Sequence, residues 1–317
     1  MTRQGQRVMV FGGTGTAGQA AVRALLALGH DVRCAVRAGR EGALPEGAVP
    51  VIADLRDPAA AIAAPVDAVV SCLASRSGSP DEAWEIDHAA HLAILAAARA
   101  AGVGQFVLLS AICVQKPLLA FQQAKLAFEA ALRASGLTWS IVRPTAFFKS
   151  LSGQVARVQS GKPFVVFGNG RLTACKPISD ADLGRFIAAC LTDPAQQNRI
   201  LPIGGPGPAI TPLDQGHALF GLLGQEPRFK HVPVRMMDAI SLGLRLGGRV
   251  NDSLKAKAEL ARIGRYYATE SMLVWDPVVK RYDADATPEF GSERLFDFYA
   301  EVIRGAARVD LGAHSVF

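Results

Sequence analysis

The sequence predicts an α/β fold: an open, doubly wound, mostly parallel sheet followed by an irregular, helix-rich region. Three observations carry that prediction. Short apolar runs alternate with helical stretches through the first 145 residues. Those runs are apolar on both faces, as in a sheet covered from both sides. A cluster of glycines stands directly between the first strand and the first helix.

Arg7–Gly12 (RVMVFG) reads as a buried strand closed by glycine, and Ala17–Gly29 as a helix with Ala21, Leu25 and Leu28 on its apolar face. Asp31–Val36, Val49–Ala53 and Asp67–Leu73 are the next three strands, with a short helical stretch at Pro58–Ala64. An alanine-rich helix is expected over Asp87–Ala101 and a fifth strand over Gln105–Ser110. A helix over Gln122–Ser135 and a sixth strand over Thr138–Arg143 follow, and Arg199–Ile203 returns a seventh. Right-handed crossovers leave few ways to connect them. Residues 1–145 are read as the nucleotide-binding core and 146–317 as a substrate region, with helices near Asp180–Leu191, Thr211–Leu223, Met236–Leu246 and Arg294–Arg304.

Composition narrows the class. The chain has 317 residues, 50% hydrophobic, enough to bury a full core, so disorder is excluded. Its formal charge of +6 is mild and suits an anionic small ligand. No module for nucleic acid appears. The five cysteines (34, 72, 113, 175 and 190) are odd in number and widely spaced, which reads as reduced thiols in a cytoplasmic protein. No apolar leader precedes the first strand, so no secretory signal is expected. The most apolar window, Ala239–Gly248, is short and holds Arg245, so no spanning segment is expected. His88 and His91 share an i, i+3 helical spacing but have no third ligand nearby; no metal site is expected.

The glycine cluster is Gly12-Gly13-Thr14-Gly15-Thr16-Ala17-Gly18, which satisfies G-x-G-x-x-G at 13, 15 and 18. Glycine is needed here so that the chain can turn sharply, approach a pyrophosphate, and pack the next helix closely. The helix N-terminus then offers unpaired N–H groups to the phosphates. These features define a Rossmann-type dinucleotide site. An NAD site would end its second strand with Asp or Glu. Here that strand runs into Arg37-Ala38-Gly39-Arg40, and a guanidinium can take a 2′-phosphate bidentately. NADPH is therefore the expected cofactor, with Arg37 as principal contact and Arg40 as second. Asp54 and Leu55 follow the third strand; Asp54 is open to two roles, the adenine amino group or a turn cap. Cys72, Leu73 and Ala74 end the fourth strand, where backbone borders the nucleotide.

The glycine turn, Asp54-Leu55, Ser110 at the end of the fifth strand and Lys125 in the next helix together resemble the atypical, extended short-chain dehydrogenase/reductase superfamily over about residues 7–205. Members with carbonyl chemistry carry Tyr-x-x-x-Lys. Here the segment is Phe121-Gln122-Gln123-Ala124-Lys125. The resemblance implies that Lys125 holds the nicotinamide ribose, beside Ser110, Pro144 and Thr145. Phe121 has no hydroxyl and cannot be a general acid, which argues against simple ketone chemistry.

A narrower resemblance lies in Cys113–Leu118, Phe121–Lys125, Arg143–Leu151, Gly161-Lys162-Pro163, Phe167–Gly170 and Cys175–Asp180. These stretches resemble the divinyl (proto)chlorophyllide 8-vinyl reductases. That resemblance implies NADPH-dependent reduction of a C8 vinyl group on a chlorophyllide-type tetrapyrrole. A vinyl group conjugated to the macrocycle has its own electron sink, so less is asked of an acid than in carbonyl reduction. Lys125, Lys149 and Lys116 are the candidate catalytic groups, and Phe121, Phe147 and Phe148 the candidate substrate contacts, core packing being the other role open to Phe147 and Phe148. From Arg228 to Arg265 nine Lys/Arg face three Asp/Glu, a surplus equal to the whole chain's charge. That segment reads as a solvated face, or as a patch for an anionic pigment or a peripheral membrane contact. Two other functions fit the same sequence: a double-bond reductase of the phenylpropanoid-reductase type, and a non-catalytic NADP-binding regulator or assembly factor.

Overall fold

The computed structural model describes residues 5–55, 57–238, 244 and 252–307. The chain forms two compact units. Within the described residues the first holds 5–75, 80–144 and 180–202, and the second 76–79, 145–179 and 203–307.

Strands β1 (Arg7–Phe11), β2 (Asp31–Val36), β3 (Val49–Ile52), β4 (Ala68–Ser71), β5 (Gln105–Leu109) and β6 (Thr138–Pro144) fall where the apolar runs predict them. Strand β7 (Phe164–Phe167) belongs to the second unit, and β8 (Arg199–Ile203) closes the central sheet. The order is β3-β2-β1-β4-β5-β6-β8, with the chain reversing direction across the sheet between β1 and β4. The pairings β1–β2, β1–β4, β2–β3, β4–β5 and β5–β6 are parallel. A doubly wound sheet binds its ligand outside the carboxyl ends of the strands at such a switch point.

The first unit's core forms where β-branched and aromatic side chains of the sheet meet the helices: Phe11, Phe106, Ile94, Phe128 and Leu132 are fully buried. Each such side chain contributes roughly 1.5–3 kcal/mol through the surface it removes from water. The second unit has its own core, including Phe148, Val158, Phe164, Phe220 and Tyr299.

Four departures from the sequence reading are instructive. The helix expected over Asp87–Ala101 begins earlier, at Pro80–Glu82, runs through a π-helical Ala83–Ala90 and continues as His91–Ala100. Proline at its first position and Asp81 and Glu82 in its first turn suit that start. The contacts change unit between Pro144 and Thr145, but the chain then returns, and 180–202 belongs to the first unit. The helix Asp180–Ala189 packs so closely on helix α1 (Thr16–Ala27) that a Cβ on Gly184 would lie 2.4 Å from the Ala20 carbonyl oxygen. In the second unit β7 pairs in parallel with β9 (Phe229–Val232), and β10 (Val274–Asp276) pairs with β11 (Arg281–Asp283). Neither pair continues the alternation of strand and helix from which β1 to β6 are read. A helix over Asp252–Thr269 was not foreseen either, whereas most of the helix expected over Met236–Leu246 lies outside the described residues.

Candidate nucleotide-binding site

The glycine turn is built for close backbone approach. Gly12 has φ +80°, a region that disfavours side chains, and Gly15 donates its N–H to the Gly12 carbonyl at 3.1 Å. A Cβ on Gly12 would sit 2.7 Å from the Cys72 carbonyl carbon, and one on Gly18 would sit 2.0 Å from the Gly12 carbonyl oxygen. Gly13 faces the Cys34 sulfur. Gly15 is the N-cap of α1, no side chain caps that end, and no acid stands in its first turn. That end of the helix is thus left without a competing side-chain cap or first-turn carboxylate. Gln19 pins the turn by donating to the carbonyls of Thr14 (3.3 Å) and Ala43 (3.1 Å). This cradle fits a pyrophosphate.

Beside it, β2 ends at Val36 and the exposed Arg37 and Arg40 follow in a turn closed by an Arg40 N–H to Arg37 carbonyl bond of 3.1 Å. No acid occurs from residue 37 to 40. Ala53 donates to the Val36 carbonyl at 3.0 Å, which brings the exposed Asp54, and Leu55 after it, to the same edge of the sheet. Cys72 donates to the Phe11 carbonyl at 2.8 Å, so Cys72-Leu73-Ala74 runs alongside the glycine turn.

Three buried polar groupings support this edge. Lys125 Nζ lies 2.9 Å from Asp87 Oδ1, and both side chains are nearly buried. Ser75 donates its hydroxyl to Asp87 Oδ2 at 2.6 Å. Breaking one side of such a pair typically costs about 3–5 kcal/mol, although the intact pair is near neutral in net stability. Next to it, His91 has Nδ1 2.8 Å from the Ile86 carbonyl and Nε2 2.9 Å from Ser71 Oγ. A carbonyl only accepts, so Nδ1 carries the proton and Nε2 accepts from Ser71. Burial above all, and then the Lys125 charge, hold the His91 ring down to about 4, so it is neutral at pH 7. Finally, Glu129 accepts from the Ser110 hydroxyl at 2.6 Å and from Arg143, both to Oε1 at 3.1 Å and to Oε2.

Sequence reasoning missed Asp87, Ser75, Glu129 and Arg143. A signal existed: Lys125 and Glu129 stand four apart on one face of the helix Ala120–Arg133, among the buried Gln122, Ala124 and Leu132. Charged residues on an apolar face must find partners. His91, weighed as a metal ligand, is fully engaged in hydrogen bonds, and His88 stacks edge-on against Trp84. Among the described residues no three His, Cys, Asp or Glu side chains gather as a metal site.

The remaining candidates divide between the units. Lys116, the half-buried Phe121, Lys125, Ser110 and Pro144 are in the first; Thr145, Phe147, Phe148 and Lys149 are in the second. Phe148 is buried against Phe298 in the second unit's core, which accounts for it as a packing residue, whereas Phe147 is half-buried. Thr145 donates its N–H to the Ile203 carbonyl at 2.9 Å and its hydroxyl to the Lys176 carbonyl. Lys176 is itself held by Glu289 Oε1 at 2.6 Å and the Thr287 carbonyl at 3.3 Å, so the Cys175–Asp180 stretch serves as scaffold there.

A switch-point sheet with this cradle defines a nicotinamide-dinucleotide-binding protein, and residues 12–194 match the NAD(P)H-binding family model. The fold is shared with the NADPH-dependent quinone oxidoreductase of Escherichia coli in complex with NADPH, at TM-score 0.68 and 16% identity, covering 93% of this chain and 99% of that one. The chain is 49% identical to the divinyl chlorophyllide a 8-vinyl-reductase of Oryza sativa subsp. indica, over 98% of its own length and 82% of the relative's. It is 54% identical to the same enzyme of Cucumis sativus over 80% of this chain and 62% of that one; both relatives are named as chloroplastic. This chain belongs to the divinyl chlorophyllide a 8-vinyl-reductase family.

Proposed function

We propose that this protein reduces the C8 vinyl group of a divinyl chlorophyllide or protochlorophyllide to ethyl, using NADPH. The family membership over nearly the whole chain is the observation that carries this reading. When bound, NADPH supplies the hydride.

The chain's own residues have definable tasks. The turn Gly12–Gly18 receives the pyrophosphate through backbone N–H groups. Arg37, assisted by Arg40, takes the 2′-phosphate; the absence of any acid from 37 to 40 supports NADPH over NADH. Cys72–Ala74 borders the nucleotide, and Lys125 holds the nicotinamide ribose. Phe121 presents a ring where carbonyl reductases present a phenol, and it can only pack. That loss is tolerable because charge developing on a reduced vinyl group spreads over the tetrapyrrole. The proton reaches the inner carbon from water or from Lys116 or Lys149, with no single strong acid required. Phe121 and Phe147 are the aromatic surfaces offered to the pigment.

Among the described residues no helix is long and apolar enough to cross a membrane. The basic surplus from Arg228 to Arg265 supports a peripheral contact with anionic lipid, which liposome flotation at low and high salt would detect.

The activity is tested by incubating the protein with NADPH and divinyl chlorophyllide. Loss of a conjugated vinyl must shift the Soret band slightly to the blue. Tight NADPH binding with no shift would overturn the reading and favour a non-catalytic NADP-binding role.

A further inference from the structure

We propose that Asp87 is a positioning residue for the dinucleotide: its carboxylate joins the ribose-binding lysine to the loop that borders the cofactor. The inference rests on the assignment of Lys125 to the nicotinamide ribose and extends it to a residue outside any nucleotide-binding motif.

The two carboxylate oxygens are divided between two elements. Oδ1 meets Lys125 Nζ at 2.9 Å, and Oδ2 accepts the Ser75 hydroxyl at 2.6 Å. Ser75 directly follows Cys72-Leu73-Ala74, the stretch laid against the glycine turn by the Cys72–Phe11 bond. One buried group therefore ties the lysine to the segment that flanks the nucleotide, and so holds the lysine in place. Asp87 is 1% exposed and Lys125 8%. An aspartate this deeply buried is costly unless it is paired. The other buried carboxylate on the lysine's helix, Glu129, is taken by Ser110 and Arg143. An ammonium has three N–H donors. Engaging one with Asp87 leaves the others for the adjacent ribose hydroxyls and fixes where they point. Asp87 also lies within the π-helical Ala83–Ala90. Such segments rephase a helix locally and are frequent at functional sites.

The test separates positioning from bulk structure by using two ligands. NADPH contains the nicotinamide ribose, and adenosine 2′,5′-bisphosphate lacks it. Affinities are measured by fluorescence on the purified full chain. Asp87→Asn should weaken NADPH about ten-fold, the scale of one charge-assisted hydrogen bond, and leave the bisphosphate within about two-fold. Lys125→Met should do the same. The double variant should bind NADPH no more weakly than Lys125→Met alone, since Asp87 acts through the lysine. Ser75→Ala, a milder change, should weaken NADPH by about two- to three-fold and guards against Asp87→Asn failing to fold. Equal loss of both ligands in Asp87→Asn and Ser75→Ala would overturn the proposal in favour of a structural role. So would unchanged NADPH affinity in Asp87→Asn when Lys125→Met is weakened. If Lys125→Met itself binds NADPH normally, the ribose assignment is what falls, and the proposal with it.

Discussion

Gly12 and Cys72 meet backbone to backbone: a methyl on Gly12 would lie 2.7 Å from the Cys72 carbonyl carbon and 2.8 Å from its oxygen. Real Cβ atoms do not come that close, and Gly12 also has φ +80°. The turn that would hold the pyrophosphate is thus wedged against the end of β4. Gly12→Ala should lose NADPH binding by at least about ten-fold and lower the melting temperature by several degrees. Titration of NADPH fluorescence together with calorimetry checks both. Gly29→Ala, also at positive φ but with nothing within 4 Å, should lower stability and leave NADPH affinity alone.

Arg37 decides the choice of nucleotide in the proposed reading. Arg37→Glu should repel a 2′-phosphate and reduce the NADPH-to-NADH ratio of kcat/KM by at least about ten-fold. The exposed position predicts little change in stability. A variant that keeps a strong NADPH preference removes Arg37 from the site.

Phe121 stands where a phenol would serve carbonyl reduction. On the proposed reading, in which the macrocycle and not an acid absorbs the developing charge, Phe121→Tyr should leave the rate of vinyl reduction within about two-fold. Single-turnover rates with NADPH bound measure this. A large acceleration would show that an acid was limiting after all.

His91 predicts a pH dependence of stability. Its folded value of about 4 lies below the ordinary 6.5 for burial first, and for Lys125 second. Between those values the unfolded chain binds the proton and the folded chain does not, so stability falls as pH drops from about 6.5 toward 4. His30 shifts in the same direction through burial. Melting temperatures at neutral pH and near pH 5 should differ less in His91→Gln than in the parent, with the parent more stable at neutral pH. An unchanged difference would reassign the effect.

The thiols offer a further check. Burial pushes Cys34, Cys72, Cys175 and Cys190 up to about 12. The thiolate is the reactive form, so a disulfide reagent at mild alkaline pH should modify these four slowly in the folded protein. All five cysteines should react promptly in denaturant.

Some of this protein was legible in one dimension. The strands β1 to β6, helix α1, the glycine turn and Arg37-Ala38-Gly39-Arg40 are local facts: each depends on apolar periodicity or on residues adjacent in the chain. The exchange of tyrosine for phenylalanine at 121 was equally plain and narrowed the chemistry before any fold was in view. What the tertiary structure alone decided is which distant side chains meet. Asp87 and Lys125 are brought together from two helices, Ser110, Glu129 and Arg143 from a loop, a helix and a strand, and Gly184 is set on Ala20 across most of the first unit. Such pairings are imposed by burial: a charge or a helix crossing removed from water must be satisfied by whatever the fold places beside it, and no spacing along the chain records that partner.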